Sequence, residues 1–366
     1  MLLDKTVAVV VPAYNEETQI GIVLDTMPDF VDRIIVINDC SSDRTPDIVQ
    51  EYIACQPVHP QQIPRIPMEE TPTLFNRANI IIQEIRKEEE ALFVRHQIYN
   101  DNSRDRIVLI NNHQNSHVGS SIANGYKWCR EHAIQCTAVM AGDAQMDPDE
   151  LASICMPVIS EGIDYVKGNR LRNKAARRMI PRKRYFGNSI LSALTKFASG
   201  YWSVSDTQTG YTAISLSALE ELDLHKIYPG YGMPNDMLIK LNIAHCSLRE
   251  VPIKPVYNVG EKSKMRIGRV IPKISILLIK GFFVRILKKY FLLDFHPIFL
   301  FYSIALLSGL TGFYFLIRII ISLVRFGSNS ITTGTYLGFI ALLVISLMSL
   351  GIGMWLDVYD NEKLQK

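Results

Sequence analysis

Residues 6–12 read TVAVVVP, and this stretch decides the fold. Four β-branched valines and one alanine follow one another with no polar residue between them. A run that is apolar on both faces but too short for a helix is the pattern of a strand covered on both sides. Three more runs repeat the pattern: RIIVIND at 33–39, RIVLIN at 106–111 and CTAVMAGD at 136–143. Each ends in small or polar residues, and helical segments separate them. The alternation predicts an α/β domain with a mostly parallel, Rossmann-like sheet, in which ligands gather beyond the carboxyl ends of the strands.

The candidate site residues are therefore those just past each run. After the first come Pro12, Ala13, Tyr14, Asn15 and Glu16; after the second come Asn38, Asp39, Cys40, Ser41, Ser42 and Asp43. A carboxylate at a strand end can accept hydrogen bonds from a base N–H or a ribose hydroxyl, which suits Asp39. Asp43 reads instead as a helix cap. Past the fourth run, GDAQMDP at 142–148 offers Asp143 and Gln145 as ligands for a hard divalent cation, with Ala141 where a further carboxylate would be expected. Asp147 reads as the cap of a helix starting at Pro148.

Composition narrows the class. The chain has 366 residues, 48% of them hydrophobic, enough for one large domain and an additional apolar part. A net charge of +3 gives no argument for nucleic acid. The six cysteines (Cys40, Cys55, Cys129, Cys136, Cys155, Cys246) form no CxxC pair and read as reduced and structural. The short apolar N-terminal run meets Pro12 and reads as a strand, not a signal peptide. No GxGxxG follows a strand and no P-loop is present, which disfavours dinucleotide dehydrogenases and P-loop enzymes. Residues 54–106 interrupt the strand pattern with a Pro-rich piece and a charged helix; the RKEEE there reads as a solvated face, with contact to a partner subunit as the alternative.

The motifs VVVPAYNEE, VINDCSSDRT, GDAQMDP, VKGNR, SDTQTGYTAIS and PNDMLIKLN occur in this order. Together they resemble the inverting family 2 glycosyltransferases of GT-A fold, in the branch that glycosylates polyprenyl phosphate, such as dolichyl-phosphate mannose synthases and bactoprenol glucosyltransferases. The resemblance implies a nucleotide-sugar site on Pro12, Ala13, Tyr14, Glu16, Asn38, Asp39 and Asp143, and a Mg2+ or Mn2+ site on Asp143 and Gln145. Asn38 and Cys40 stand where the family usually has Asp and Gly. The resemblance also implies acceptor-phosphate contacts at Arg170, Arg184 and Asp206, and a catalytic set of Asp143, Asp236, Arg170 and Arg184. Guanidinium forks suit phosphate oxygens, and Lys174, Arg177, Arg178, Arg182 and Lys183 add a positive field around them.

The C-terminal third reads as membrane. Residues 298–317 and 336–356 are uncharged apolar runs, each long enough to cross a ~30 Å hydrocarbon core. Residues 325–335 join them into a hairpin. Lys280, Arg285, Lys288 and Lys289 crowd the approach to the first run while the joining segment carries only Arg325, which puts the large domain and the C-terminus in the cytoplasm. Residues 267–295 read as interfacial helices with cations reaching outward; amphipathic helices packed on the soluble domain are the alternative. The expected organisation is a catalytic domain at 1–260, an interfacial region at 261–296, a two-helix hairpin at 297–356 and a tail at 357–366.

The reading is thus a metal-dependent hexosyltransferase moving one sugar from a UDP- or GDP-linked donor to polyprenyl phosphate. Transfer to a hydroxyl of a lipid or lipid-linked glycan, and a non-catalytic donor-binding subunit, are the alternatives. A homo-oligomer is left open.

Overall fold

The valine run is a strand whose alternate residues face two different cores. A computed structural model describes residues 1–57, 59, 61–67, 71–73, 75–173, 182–256, 267–326 and 332–366. In chain order the elements are β1 (Val7–Ala13), α1 (Ile20–Asp25), β2 (Arg33–Asn38), α2 (Thr45–Cys55), α3 (Arg77–Glu90), β3 (His96–Ile98), β4 (Ile107–Asn112), α4 (Val118–Glu131) and β5 (Cys136–Val139). Then follow α5 (Leu151–Glu161), β6 (Tyr165–Asn169), α6 (Arg182–Ser199), β7 (Thr212–Ser215), α7 (Leu216–Glu221), α8 (Met233–Ile243) and β8 (Leu248–Pro252). Three long helices end the chain: α9 (Ile267–Leu287), α10 (Pro297–Phe326) and α11 (Thr333–Glu362).

Among the described residues eight strands form one sheet in the order β3-β4-β2-β1-β5-β7-β6-β8. The pairs β1–β2, β2–β4, β1–β5 and β6–β8 are parallel, whereas β3–β4, β5–β7 and β6–β7 are antiparallel. The fold is the expected α/β class with a mostly parallel sheet. Ala8 and Val10 face a core shared with Ile122, Ala123 and Tyr126 of α4. Val7, Val9 and Val11 face a second core with α1, α2 and α5. Burial on both faces is why no polar residue interrupts the run. From β1 the chain moves one way to β2 and β4, then returns to place β5 on the other side. This reversal leaves a crevice beyond the ends of β1 and β5.

Two regions differ from the sequence reading. Residues 54–106 hold α3 and the edge strand β3, which pairs with β4. The Arg33 guanidinium, buried at the sheet end, donates to Gln61 O at 3.0 Å and Ser103 O at 2.5 Å and fastens both ends of this segment. At the C-terminus, α10 and α11 pack as an antiparallel pair, and each is long and apolar enough to cross a membrane. With 30 residues apiece they exceed the ~20 residues that a bilayer core requires.

The surplus length of α11 meets the soluble domain. Arg285 of α9 was expected to reach outward but is fully buried, as is Lys289 in the π-helical turn that follows. Arg285 donates a fork to Asp357 at 2.7 and 2.8 Å and further bonds to Ala198 O and Phe197 O. Lys289 donates to Asn361 at 2.6 Å and to Asn242 of α8 at 3.2 Å. Tyr290 donates to Asp357. These cations are inside because carboxylate and amide partners replace their water, which hydropathy cannot register. Gly200, at φ +80°, faces Arg285 so closely that a Cβ would lie 2.7 Å from its Nη1. Residues 357–366 are therefore no loose tail: after α11, Leu364 O accepts from Leu248 N and Lys366 N donates back to Leu248 O, extending the sheet edge beyond β8. The helix α9 combines both sequence alternatives, with Ile274 and Leu278 buried against α6 and α8 and Ile276, Ile279 and Phe283 exposed.

Candidate active site

At the ends of β1, β2, β4 and β5 the loops carry non-glycine residues in left-handed conformation: Asn15 (φ 53°), Cys40 (φ 61°), His117 (φ 69°) and Ala144 (φ 56°). Such residues are uncommon and accumulate where surrounding contacts hold a loop for a purpose. Cys40 stands where the resembled family usually has glycine, and its positive φ is the physical reason for that preference.

Two of these loops brace each other. Asn15 Oδ1 accepts from Ser42 N at 2.8 Å, Asn15 N donates to Ser41 Oγ at 3.0 Å, and Glu16 N donates to Thr45 Oγ1 at 2.9 Å. Asp43 accepts from Thr45 N and from Glu17 N, so it works as a turn brace at the start of α2. Tyr14 lies exposed on the rim while Pro12 and Ala13 are buried beneath it. Asn38 gives its amide to Asn111 at 2.8 Å and accepts from Ser41 N at 3.0 Å. Both ends of its side chain are thus engaged in shaping the loop.

Asp39 is buried, and its Oδ1 alone accepts Asn112 Nδ2 at 2.9 Å, Ser116 N at 3.0 Å and Ser116 Oγ at 2.7 Å. No protein donor reaches Oδ2 among the described residues. Asn124 of α4 donates to Asn112, while its own Oδ1 is buried with no partner in the structure. Asn112, Ser116 and Asn124 were missed in the sequence. The signal was the asparagine-rich INNHQNS at 110–116, directly after a strand and hence at its carboxyl end.

Across the crevice, Asp143 is half-buried and its Oδ1 accepts from Gln145 N at 3.1 Å. Asp147 accepts from Asp149 N at 3.0 Å, capping the short 3-10 turn Pro148–Glu150 as its spacing predicts, and pairs with Lys254 at 3.2 Å. Among the described residues no group of three or more His, Cys, Asp or Glu side chains is placed to hold a metal ion. This donor set makes no cage. It fits a cation whose remaining ligands are substrate phosphate oxygens and water, the usual habit of magnesium.

The structure brings Arg170 and Asp206 together. The guanidinium at the end of β6 forks onto Asp206 at 2.8 and 3.0 Å, and Arg170 N donates to the same carboxylate. Burial alone would raise the Asp206 carboxyl, but Arg170 and Lys167 hold it below the usual carboxylate range. Asp206 thus anchors Arg170, a different placement from direct contact with phosphate. Lys167 is buried behind them and donates to Thr209 O; burial pulls its ammonium down to about 8 against the fields of Asp206 and Glu250. Glu250 accepts from Asn169, Ser205 and Asp206 N and completes this polar core. Lys167 and Glu250 also escaped the sequence reading, because neither lies at a strand end in the parallel half of the sheet.

The segment Ser205–Gly210 bridges both sides. Gln208 donates to Asn235 at 2.9 Å, and Met146 of the Asp143 loop packs over Gly210. Next to Asn235, Asp236 accepts from Tyr228 N at 2.8 Å and pairs with Lys240, both at Oδ2. The Tyr228 turn closes the ring: Gly119 N of α4 donates to Pro229 O at 2.7 Å, and a Cβ at Gly119 would collide with Tyr228 O at 2.0 Å. A chain of contacts therefore links the loops and helices that carry Asp39, Asp143, Arg170 and Asp236. Arg184 lies on the α6 backbone, but its side chain falls outside the described residues, as do those of Lys174, Arg177, Arg178, Arg182 and Lys183.

Residues 8–70 match the model of the family described as Glycosyl transferase family 2. A UDP-N-acetylglucosamine–dolichyl-phosphate N-acetylglucosaminyltransferase of Methanococcus voltae is 28% identical over 257 residues, covering 70% of this chain and 88% of that protein. An uncharacterized protein of Methanocaldococcus jannaschii is 25% identical over 270 residues, covering 74% and 88% respectively. Among solved structures, glucosyl-3-phosphoglycerate synthase of Mycobacterium tuberculosis aligns with a TM-score of 0.46 at 17% identity, over 77% of this chain and 81% of that one.

Proposed function

We propose, from the match of residues 8–70 to glycosyl transferase family 2, that this chain transfers one sugar, with inversion, from a nucleotide-diphosphate sugar to a polyprenyl phosphate at the cytoplasmic membrane face. The observation that carries this reading is the chain of contacts linking the elements of Asp39, Asp143, Arg170 and Asp236, in a chain whose two long apolar helices dock onto the same domain. The named activity of the Methanococcus voltae relative supports the acceptor class and makes UDP-N-acetylglucosamine the first donor to test.

In the proposed reaction, Asp39 receives the base or ribose through its open Oδ2, and Tyr14 with the Pro12–Ala13 turn forms the wall. Asp143 and Gln145 would hold a magnesium or manganese ion against the donor diphosphate. When bound, such an ion neutralises charge on the leaving group. Arg170, held rigid by Asp206, presents its remaining surface to phosphate. An acceptor phosphate oxygen forms a bond to the anomeric carbon as the bond to the diphosphate oxygen breaks, and that electron pair leaves with the diphosphate. A phosphomonoester with a second pKa near ~6 is already anionic at neutral pH, so no general base is required. Asp236, tethered by Lys240 and Tyr228 N, then orients sugar or acceptor. The exposed Lys273, Lys280 and Lys288 support this orientation, since cations favour the cytoplasmic side of a membrane.

Purified protein incubated with radiolabelled UDP-N-acetylglucosamine and, separately, other UDP- and GDP-sugars should move label into the lipid phase when dolichyl phosphate is supplied. Asp143→Asn should lower that transfer at least ~100-fold, the ~2.7 kcal/mol of a lost transition-state contact, with an unchanged melting temperature. Manganese and nucleotide diphosphate should each tighten binding of the other, since each completes the other's shell. No labelled lipid with any donor would overturn the reading.

A further inference from the structure

The helix α3 turns Ile80, Gln83, Arg86 and Glu89 toward the domain, each half-buried. None of its 14 residues is buried. Ala78, Ile81, Ile82 and Ile85 share one face of a 3.6-residue helix, and the three isoleucines are 48%, 46% and 49% exposed. Phe75 before the helix and Leu92 after it extend the stripe and are more exposed still. The C-terminal end of α3 is tied to the domain by Glu90, which pairs with Lys127 at 2.8 Å, and by Glu89, which faces His225 at 3.5 Å. An amphipathic helix normally turns the other way, because burying the apolar stripe is what stabilises it. The face that should be covered is open.

From this we infer that α3 is the contact through which two copies of this chain pair, antiparallel and about a two-fold axis. The edge charges select that occupant. Arg77 and Glu88 are eleven residues apart, about three turns, and so lie on the same edge of the stripe. A two-fold antiparallel pair brings like edges together end for end, which sets Arg77 of each copy beside Glu88 of the other while the isoleucines meet between them. Neither residue has an ion pair or hydrogen bond within the chain among those described. A lipid surface is the weaker match: Glu84, Glu88, Glu89 and Glu90 outnumber Arg77, Arg86 and Lys87 on this helix, whereas membrane-surface helices are rich in lysine and arginine. A helix of 14 residues is only about 21 Å long, so the contact is below the ~1,200 Å² of a standard interface and the pair dissociates within an accessible concentration range.

The test uses the full-length protein in detergent micelles, its mass measured over a range of concentrations. Wild type should pass from monomer to dimer. Ile85→Glu and Arg77→Glu should each raise the half-dimer concentration at least ~tenfold, and the charge-swapped Arg77→Glu/Glu88→Arg protein should recover most of that loss. In a Cys40→Ser/Cys55→Ser background, Arg77→Cys/Glu88→Cys should oxidise to a covalent dimer. Within one chain those positions are about 16 Å apart along the helix, too far for a disulfide, and neither single cysteine should cross-link as well. Wild type that stays monomeric at every concentration, a dimer indifferent to Ile85→Glu, or absence of the double-cysteine cross-link would overturn the inference. So would Ile85→Glu weakening attachment of the soluble face to anionic vesicles while leaving the mass unchanged. Circular dichroism and melting of each variant separate lost pairing from lost fold.

Discussion

Two polar regions of this molecule use similar residues to opposite ends. At the base, Arg285, Lys289, Tyr290, Asp357 and Asn361 lie between α9, α11 and the soluble domain, and each is bonded to at least one of the others. At the rim, Asp39 loads three donors on one oxygen and keeps the second open, Asn124 has an unpartnered buried carbonyl, and the four loops hold left-handed residues. A saturated buried network fixes one arrangement of elements; a partly filled one keeps capacity for a ligand. Completeness of hydrogen bonding, more than residue type, separates the structural cluster from the candidate site.

The comparison breaks most visibly at the base. Asp357→Ala leaves Arg285 charged, buried and unpaired and should cost ~3–5 kcal/mol, read as a lower melting temperature in detergent. The double variant Arg285→Met/Asp357→Leu should restore much of it. If Asp357→Ala melts like wild type, the base is not the saturated lock described.

At the rim the sign reverses between stability and binding. Asp39→Ala should weaken nucleotide-sugar binding by ~10–100-fold, as expected for hydrogen bonds to a charged group, while saturating donor restores most of the rate because the same contacts exist before and during transfer. Titration calorimetry together with initial rates checks both halves.

Lys167 belongs to a third, intermediate environment and gives a pH signature. Its folded value of about 8 lies below the 10.5 of an exposed lysine. Between those values the unfolded chain holds a proton that the native protein has released, so stability rises with pH in this window. The contribution should reach ~2 kcal/mol between pH 7 and 9.5 and be absent from Lys167→Met, which denaturant titration at both pH values measures.

The smallest effect sharpens the loop argument. Cys40→Gly removes the cost of a left-handed φ and should stabilise by up to ~1 kcal/mol, offset in part by a more flexible unfolded chain. A lower melting temperature would mean that the Cys40 side chain, whose Sγ lies 3.8 Å from His113 O, matters more than its backbone.

The sequence by itself determined the parallel half of the sheet, the two long apolar helices and the strand ends at which Asp39 and Asp143 stand. Each of these is a local property: a run of valines, a sum of hydropathy, a position relative to a strand. Only the tertiary structure decided which polar residues meet. Arg285 and Asp357 are 72 positions apart, Asp39 and Ser116 are 77 apart, and Arg170 and Asp206 are 36 apart. Nothing near Arg285 in the chain distinguishes it from the exposed Lys280 and Lys288, so counting charge could not place it inside. The exposure of the α3 isoleucines is decided in the same way. Which face of a helix is covered depends on the neighbours that folding brings to it, and those neighbours are distant in sequence.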